Sequence, residues 1–264
     1  MAEIPDVLAR IMAGRRARLA GVSGGEELVA RDGVLSVGEN PFLSALSARR
    51  GRAVIAEVKM GSPRIGSLSG RVDPEGQARL YGAGGAAALS VVVEPDFFGG
   101  SYELLDRCRL ASGLPAIAKD FVVDPVQLVR AREAGASAVL LIAALYPAGE
   151  LRRLAGLARG LGLAPLVETH DAGDLAKLGG AGWELVGINN RDLRTFDVDI
   201  AHSSALASRL PPQADGGPLR VAESGIASGG DVATLRAAGF DAFLVGESLL
   251  LADDPAAKLR ELLS

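Results

Sequence analysis

Residues 53–62 read AVIAEVKMGS, an apolar run that ends in an acid, an amine and a small polar turn. Side chains alternate between the two faces of an extended strand, so Glu57 and Lys59 project the same way. The strand therefore presents a carboxylate and an amine side by side at its carboxyl end. Seven further short apolar runs follow along the chain, and most of them also end in a polar side chain.

These runs have the length and near-continuous hydrophobicity of parallel strands that are buried on both faces. They cover residues 53–58, 86–93, 115–119, 138–143, 164–168, 185–189, 219–223 and 242–246. Their ends recur about every 20 to 35 residues, which leaves room for one strand and one crossover helix. Eight such units in 264 residues predict an α/β fold with one (β/α)8 TIM barrel, whose typical length is about 250 residues. An open doubly wound sheet is the alternative.

Helical spacing fills the segments between the strands. Residues 125–134 and 231–238 are examples, and we expect Asp231 to cap the second helix and Gly239 to end it.

Residues 1–50 precede the first strand and do not fit the repeat, which predicts an N-terminal helical extension. Residues 4–19 place apolar side chains on one helical face, and a second helix is predicted to begin with Asn40 as its cap and Pro41 in its first turn. We expect the extension to lie across one end of the barrel. There it either adds stability or covers a substrate.

Composition and charge narrow the class of protein. The chain is 48% hydrophobic and 23% charged, and no linker divides it, so residues 1–264 are predicted to form one domain with the barrel over residues 51–264. A net charge of −4 with scattered Lys and Arg argues against a nucleic acid partner. The lone Cys108 excludes an internal disulfide. Without a signal peptide or a membrane-length apolar run, the protein is expected to be cytoplasmic, with no membrane partner.

The last two predicted strands are followed by small residues that suit an anion. Residues 222–226 read AESGI and residues 245–249 read VGESL. Small residues let backbone N–H groups approach an anion, and a short helix beginning after Gly246 would direct its positive end at it. The loops after the seventh and eighth strands are a frequent phosphate site in barrels. The pattern therefore predicts a phosphate site, with ordinary turn glycines as the alternative.

Polar side chains at the strand ends form a candidate catalytic set. They are Glu57, Lys59, Lys119, Glu168, Asn189 and Glu223. Buried carboxylates and amines are costly unless paired, so this set predicts a mutually compensating network with shifted pKa values, suited to proton transfer. His170 precedes a predicted helix and is interpreted as structural. Two histidines and no Cys cluster argue against a zinc site.

Motifs in a fixed order carry a family resemblance. They are AEVK at 56–59 with SP at 62–63, Phe98 with GS at 100–101, KDF at 119–121, VLLI at 139–142, GINNRDL at 187–193, AESGI at 222–226 and VGESL at 245–249. Over residues 50–252 the chain closely resembles the indole-3-glycerol phosphate synthases, barrel enzymes of tryptophan biosynthesis. The resemblance implies a carbon–carbon lyase that converts 1-(2-carboxyphenylamino)-1-deoxyribulose 5-phosphate to indole-3-glycerol phosphate, CO2 and water, with no cofactor and no metal.

The same resemblance implies roles for particular residues. Lys119 becomes the acid for ring closure, held by Glu57, while Lys59 pairs with a substrate anion and shares the later proton transfers with Glu57 and Glu168. Asn189 and Glu223 hold the ribulose hydroxyls. The remaining binding positions are Ser62, Ser224, Gly225, Gly246 and Glu247 for the phosphate, Arg191 for the loop or an anion, and Phe98, Phe121, Leu140, Leu193 and Leu244 for the aromatic ring.

The first loop departs from the family pattern. Arg64 and Ile65 stand where a Ser-Lys pair is common, so turnover or substrate preference can differ even if the chemistry is kept.

Three rival functions remain open at this stage: a ribulose-phosphate isomerase, a Schiff-base aldolase that uses Lys59 or Lys119, and a phosphate-binding barrel without activity. The expected partner is a small phosphorylated substrate. A monomer is expected, and its association with other tryptophan-pathway enzymes is left open.

Overall fold

A computed structural model describes residues 6–22, 25, 27–62, 66–179, 182–192, 195, 197–210 and 217–264. Within these residues eight parallel strands close into a barrel in which each strand pairs with its neighbours in the chain and the first pairs with the last. The strands are β1 (Ala53–Val58), β2 (Ala88–Val92), β3 (Ala116–Lys119), β4 (Ala138–Ile142), β5 (Ala164–Thr169), β6 (Leu185–Asn189), β7 (Leu219–Glu223) and β8 (Ala242–Val245). Closure is confirmed by the parallel register of Ala53 with Ala242, and it excludes the open sheet.

Helices surround the barrel and connect its strands. They are α1 (Asp6–Leu19), α2 (Pro41–Ser47), α3 (Pro74–Gly84), α4 (Pro95–Phe98), α5 (Tyr102–Ser112), α6 (Val126–Glu133), α7 (Ala148–Gly160), α8 (Ala172–Ala176), α9 (Ala201–Leu206), α10 (Gly229–Ala237), α11 (Glu247–Leu250) and α12 (Pro255–Leu263). Short 3-10 turns occupy Val37–Glu39, Ala143–Leu145 and Ala207–Arg209, and Gly61–Ser62 pairs with Gly66–Ser67 in a small hairpin after β1.

Two of the predicted helix starts have different outcomes. Asn40 caps α2 as expected, because its side chain accepts the Phe42 and Leu43 N–H groups, and Pro41 occupies the first turn. The prediction for α10 is wrong, since Ser228 is the N-cap and Asp231 is the third helical residue. The two side chains form a reciprocal capping box, in which Asp231 accepts the Ser228 backbone N–H at 2.8 Å.

Strand alternation divides the core into two layers. Along β1, Ala53 and Ile55 belong to the cluster inside the barrel, whereas Val54 and Val58 belong to the cluster between barrel and helices. Glu57 continues the inward series, so its carboxylate reaches the carboxyl end of the barrel interior.

The N-terminal extension contacts both ends of the barrel, and the prediction of a single end is therefore wrong. On α2, Phe42, Leu43 and Leu46 pack with the interior cluster and close the amino-terminal end. On α1, Leu8 and Ile11 line the opposite mouth. A chain segment with two apolar helices joined by about 20 residues can span a barrel from end to end.

Candidate active site

A cavity of about 630 Å³ opens at the carboxyl ends of the strands. Fifteen predicted site residues line it: Glu57, Lys59, Ser62, Phe98, Lys119, Phe121, Leu140, Glu168, Asn189, Arg191, Ser224, Gly225, Leu244, Gly246 and Glu247. Glu223 is fully buried and lies behind this lining. Leu193 and the two departures at Arg64 and Ile65 lie outside the described residues.

The acid and amine of β1 are in contact, as their spacing predicts. Lys59 Nζ lies 3.1 Å from Glu57 Oε1, and Lys119 Nζ lies 3.1 Å from Glu57 Oε2, so one carboxylate bridges two amines. Burial alone would raise the pKa of Glu57, but the ammonium groups of Lys119 and Lys59 lower it to about 2. Glu57 is therefore a permanent anion near neutral pH.

Lys119 is surrounded by carboxylates. Besides Glu57, it has Glu223 Oε2 at 3.7 Å, and the Glu168 carboxylate also acts on its charge. Burial would lower the pKa of Lys119, yet these anions together hold it above its ordinary value. The amine consequently stays protonated and can donate a proton or a hydrogen bond into the cavity.

Glu168 and Glu223 form an unequal pair of buried carboxylic groups. Burial and then the Glu168 charge raise the pKa of Glu223 to about 8. For Glu168, burial also acts upward, but His170, Lys119 and Asn189 lower its pKa to about 2. Two close carboxylates do not both ionise readily, so Glu168 is the anion and Glu223 the neutral acid near neutral pH.

His170 approaches Glu168 from outside the cavity. Its Nε2 lies 3.2 Å from Glu168 Oε1, and its side chain is 12% exposed. The sequence signal was available, because His170 follows Glu168 at the same two-residue spacing that places Lys59 beside Glu57.

Two glycines make room for the carboxylates. A Cβ atom at Gly187 would lie 2.2 Å from Glu223 Oε1, and one at Gly246 would lie 2.5 Å from Glu57 Oε1. Such distances are far inside van der Waals contact, so each carboxylate occupies space that any larger residue would fill. Gly187 carries its own signal, since a glycine inside an apolar strand often marks a close approach.

Apolar side chains form one wall of the cavity. The Phe98 and Phe121 ring centroids are 6.0 Å apart and the rings are tilted by 31°. Leu140 and Leu244, from β4 and β8, complete this wall. A planar ring can pack against such a surface within reach of Lys119.

The loops after β7 and β8, which are rich in small residues, form the rim of the cavity. Ser224 and Gly225 have φ of 67° and 78°, so the chain turns sharply after β7 with backbone exposed to the cavity. The Ser248 hydroxyl donates to the Ile226 carbonyl at 2.8 Å and ties this loop to the one after β8. Arg191 lies beside both, with Nη2 3.4 Å from Glu247 Oε2. Small, linked loops of this kind suit an anion such as phosphate.

A buried network attaches α1 to the active site. Arg15 pairs with Asp120, the residue after Lys119, and both side chains are at least 96% buried. The same carboxylate accepts from the Tyr102 hydroxyl and from Gln127 Nε2, each at 2.8 Å. This network was not predicted, because it joins segments far apart in the chain.

The described residues hold no group of three or more His, Cys, Asp or Glu side chains arranged for a metal ion. No helix in this part of the chain is long and apolar enough to cross a membrane.

The closed barrel, the acid–amine cluster at its strand ends and the small-residue rim define a (β/α)8-barrel enzyme whose site suits an anionic substrate. Comparison with known families identifies the particular one. The model of the family "Indole-3-glycerol phosphate synthase" matches residues 8–262, and the chain belongs to this family.

Individual relatives agree with the assignment. The chain is 46% identical over 216 residues to an indole-3-glycerol phosphate synthase of Koribacter versatilis, which covers 82% of each chain. It is 42% identical over 268 residues to that of Variovorax paradoxus, which covers 98% of this chain and 99% of the relative. This enzyme family consists of carboxy-lyases of tryptophan biosynthesis.

Solved structures of other proteins share the fold alone. A thiamine phosphate pyrophosphorylase from Pyrococcus furiosus superposes with a TM-score of 0.57 at 15% identity, over 81% of this chain and 95% of that one. The tryptophan synthase α subunit from Legionella pneumophila gives a TM-score of 0.58 at 14% identity, over 85% and 97%.

Proposed function

We propose that this chain closes the indole ring of 1-(2-carboxyphenylamino)-1-deoxyribulose 5-phosphate and releases CO2 and water. The observation that carries the assignment to residues is the position of Lys119. Its protonated amine is held 3.1 Å from Glu57 Oε2 at the wall of the cavity that Phe121 also lines. A cation at that place can protonate a ketone while an aromatic ring packs against the apolar wall.

Ring closure uses Lys119 as the acid. The aromatic carbon that bears the carboxylate attacks the ribulose ketone, and the oxygen takes a proton as its negative charge develops. A raised pKa makes Lys119 a weak acid, but the developing alkoxide is a far stronger base, so transfer is downhill. Glu57 holds the amine in place and remains ionised itself.

Loss of CO2 and water completes the indole. The bond from the ring to the carboxylate breaks, and its electrons restore the aromatic ring. The new hydroxyl group then accepts a proton and leaves as water, pushed by the ring nitrogen, and the adjacent C–H becomes acidic. Lys59 is the second ammonium group at the wall, and Glu57 and Glu168 are the ionised carboxylates there. We assign these later transfers to the three residues as a set.

Substrate binding follows the two chemical surfaces of the cavity. Phe98, Phe121, Leu140 and Leu244 would pack on the carboxyphenyl ring, with Leu193 expected to join them. Asn189 would hold one ribulose hydroxyl, and the neutral Glu223, which lies behind the cavity lining, would hold another. The phosphate would bind at the rim, and that set is Ser62, Ser224, Gly225, Gly246 and the backbone of Glu247, with Arg191 beside it.

The Schiff-base alternative is disfavoured for Lys119. A lysine that attacks a carbonyl needs an unprotonated amine and hence a lowered pKa, whereas carboxylates raise the pKa of Lys119. Borohydride trapping with substrate would reveal a Schiff base at either lysine.

The finer properties are proposals as well: one domain over residues 1–264, a monomer in the cytoplasm, and no cofactor.

The decisive experiment is a progress curve of indole fluorescence with the synthetic ribulotide and purified full-length protein. We expect fluorescence to rise with one CO2 released per indole. A folded protein that binds inorganic phosphate but produces no fluorescence would instead be the inactive phosphate-binding barrel.

A further inference from the structure

A row of alternating charges runs behind Glu168, away from the cavity. On its inner side, His170 Nε2 lies 3.2 Å from Glu168 Oε1. On its outer side, His170 Nδ1 lies 3.7 Å from Asp174 Oδ2, and Lys177 Nζ donates to Asp174 Oδ1 at 2.9 Å. The row therefore reads carboxylate, imidazole, carboxylate, ammonium from the active site outward.

The row is anchored to the backbone at several points. The His170 N–H donates to Asp174 Oδ2 at 3.1 Å, and Asp171 caps α8, so the start of α8 presents Asp174 to the ring. Lys177 Nζ also donates to the Ala143 carbonyl at 2.7 Å, which ties the row to the end of β4. From α9, the His202 ring nitrogen Nε2 lies 2.6 Å from the His170 carbonyl oxygen.

Both His170 ring nitrogens are fully buried, and the polar side chains that face them among the described residues are carboxylates. A neutral imidazole would turn one lone pair toward a carboxylate, which is repulsive, whereas an imidazolium carries N–H groups on both sides. Across Glu168 lie the other charged neighbours, Lys119 of β3 and Glu223 of β7. Burial would lower the pKa of His170, but Asp174 and Glu168 raise it to about 10.

We propose that His170 is a positioning residue for the lyase reaction. It holds Glu168 ionised and oriented at the cavity wall, and Asp174 and Lys177, the outer members of the row, hold His170 in place. His170 is absent from the residues that line the cavity, so it acts through Glu168 rather than on the substrate. The proposal rests on the proposed function, and it assigns His170 a part beyond the structural one expected from its position before α8. It also accounts for the neutral state of Glu223, since a fixed charge on Glu168 opposes a second one nearby.

The charge of the ring can be measured without any activity. The chain has two histidines, His170 and His202, so a nitrogen NMR spectrum of isotope-labelled histidine contains two ring systems, assigned with His202→Gln. At about pH 8 an ordinary histidine is neutral. We expect the His170 ring to be doubly protonated there. A neutral His170 ring at that pH would overturn the proposal, whatever reaction the protein catalyses.

Kinetics test the positioning role. His170→Gln removes the charge, so the pKa of Glu168 should rise and the acidic limb of the kcat profile should move up by about one to three pH units. We expect kcat to fall about tenfold or more, with a much smaller change in KM. Asp174→Asn should shift the same limb in the same direction by less, because it removes a carboxylate that holds the His170 charge but does not contact Glu168.

His202→Gln is the matched control, since it removes the other histidine and a contact to the residue 170 backbone but no charge beside Glu168. It should leave the acidic limb in place. If His170→Gln lowers only the melting temperature and leaves the kcat profile unmoved, His170 is merely structural and the proposal fails. An inactive parent would instead contradict the proposed function, and the NMR result would still decide the charge of His170.

Discussion

Lys119 joins two carboxylates from separate strands, with Nζ 3.1 Å from Glu57 Oε2 and 3.7 Å from Glu223 Oε2. The two contacts are not equivalent, because Glu57 has a second amine in Lys59 and lies closer to Lys119 than Glu223 does. The ammonium group therefore has a fixed position between an ionised carboxylate and a neutral acid, and it remains free to move its proton toward a substrate oxygen.

Loss of the closing acid should be severe. We expect Lys119→Ala to lower kcat at least about 100-fold, because general acid catalysis contributes roughly 10²- to 10⁴-fold. The measurement is steady-state indole fluorescence with the ribulotide. Lys258→Ala is the control, since Lys258 pairs with Glu261 on α12, outside the cavity. A near-normal kcat for Lys119→Ala would remove this residue from the closing step.

Stability should depend on which member of the Glu57 network is removed. Glu57→Leu leaves Lys59 without the carboxylate beside it and Lys119 with the more distant Glu223 as its nearest carboxyl group, so the free energy of unfolding should fall by about 2 kcal/mol. Lys119→Met should cost less, because Glu57 keeps Lys59 at 3.1 Å. Urea denaturation measures both variants. Equal unfolding free energies for the two variants and the parent would contradict the coupled network.

The raised pKa of Glu223 predicts a pH-dependent stability. Its protonated form favours the folded state, a contribution that is complete below the ordinary value of 4.5 and is lost as pH rises toward about 8. Glu223→Gln mimics the neutral acid at every pH, so we expect it to gain stability relative to the parent across that window. Urea denaturation at several pH values gives the difference.

Glu57→Gln should change the pH dependence of stability in the opposite direction to Glu223→Gln. The pKa of Glu57 is lowered, so its ionised form contributes stability that is present above 4.5 and lost as pH falls toward about 2. The deficit of Glu57→Gln should therefore shrink in acid. A pH-independent difference between parent and Glu223→Gln would show that Glu223 titrates normally in the folded protein.

The need for a glycine at position 187, beside Glu223, can be tested by substitution. A methyl group at Gly187 would lie 2.2 Å from Glu223 Oε1, so Gly187→Ala must displace that carboxyl group. We expect a large drop in kcat with the fold retained, as followed by circular dichroism. Gly149→Ala, on α7 with open space around its Cβ, is the matched control and should be neutral or slightly stabilising. Full activity in Gly187→Ala would show that Glu223 need not occupy its observed position.

The Arg15–Asp120 ion pair, which anchors α1, allows a test of whether the N-terminal extension adds stability or covers the substrate. Arg15→Met leaves Asp120 with Tyr102 and Gln127 but removes its cation, so stability should fall by about 2 kcal/mol. If α1 covers the substrate, KM for the ribulotide should rise as well. Arg16→Met, at the exposed neighbouring position, should change neither quantity. Reduced stability with an unchanged KM would make α1 a stabilising cap only.

Local sequence was sufficient for the barrel and for most of the site. Strand alternation places Glu57 and Lys59 on one face, and parallel strands bring Lys119, Glu168 and Asn189 to the same end, so these residues could be chosen without coordinates. The exact ends of the elements were harder to predict from the sequence. The apolar run at 86–93 predicts a strand, whereas β2 spans Ala88–Val92; its start is later because Gly85 ends α3 in the left-handed conformation and the chain needs two residues to enter the sheet.

What the sequence determined by itself is the inventory: eight strands, the acids and amines at their ends, and the small residues of the rim, all of which depend on spacing within a single element. Tertiary structure alone decided how those groups divide the charge. Glu168 is ionised because His170 lies 3.2 Å from its carboxylate, whereas Glu223 is neutral because it is fully buried beside that charge, in space that Gly187 leaves open. Protonation depends on distances of a few ångströms between residues from different strands, and such distances exist only once the barrel has closed.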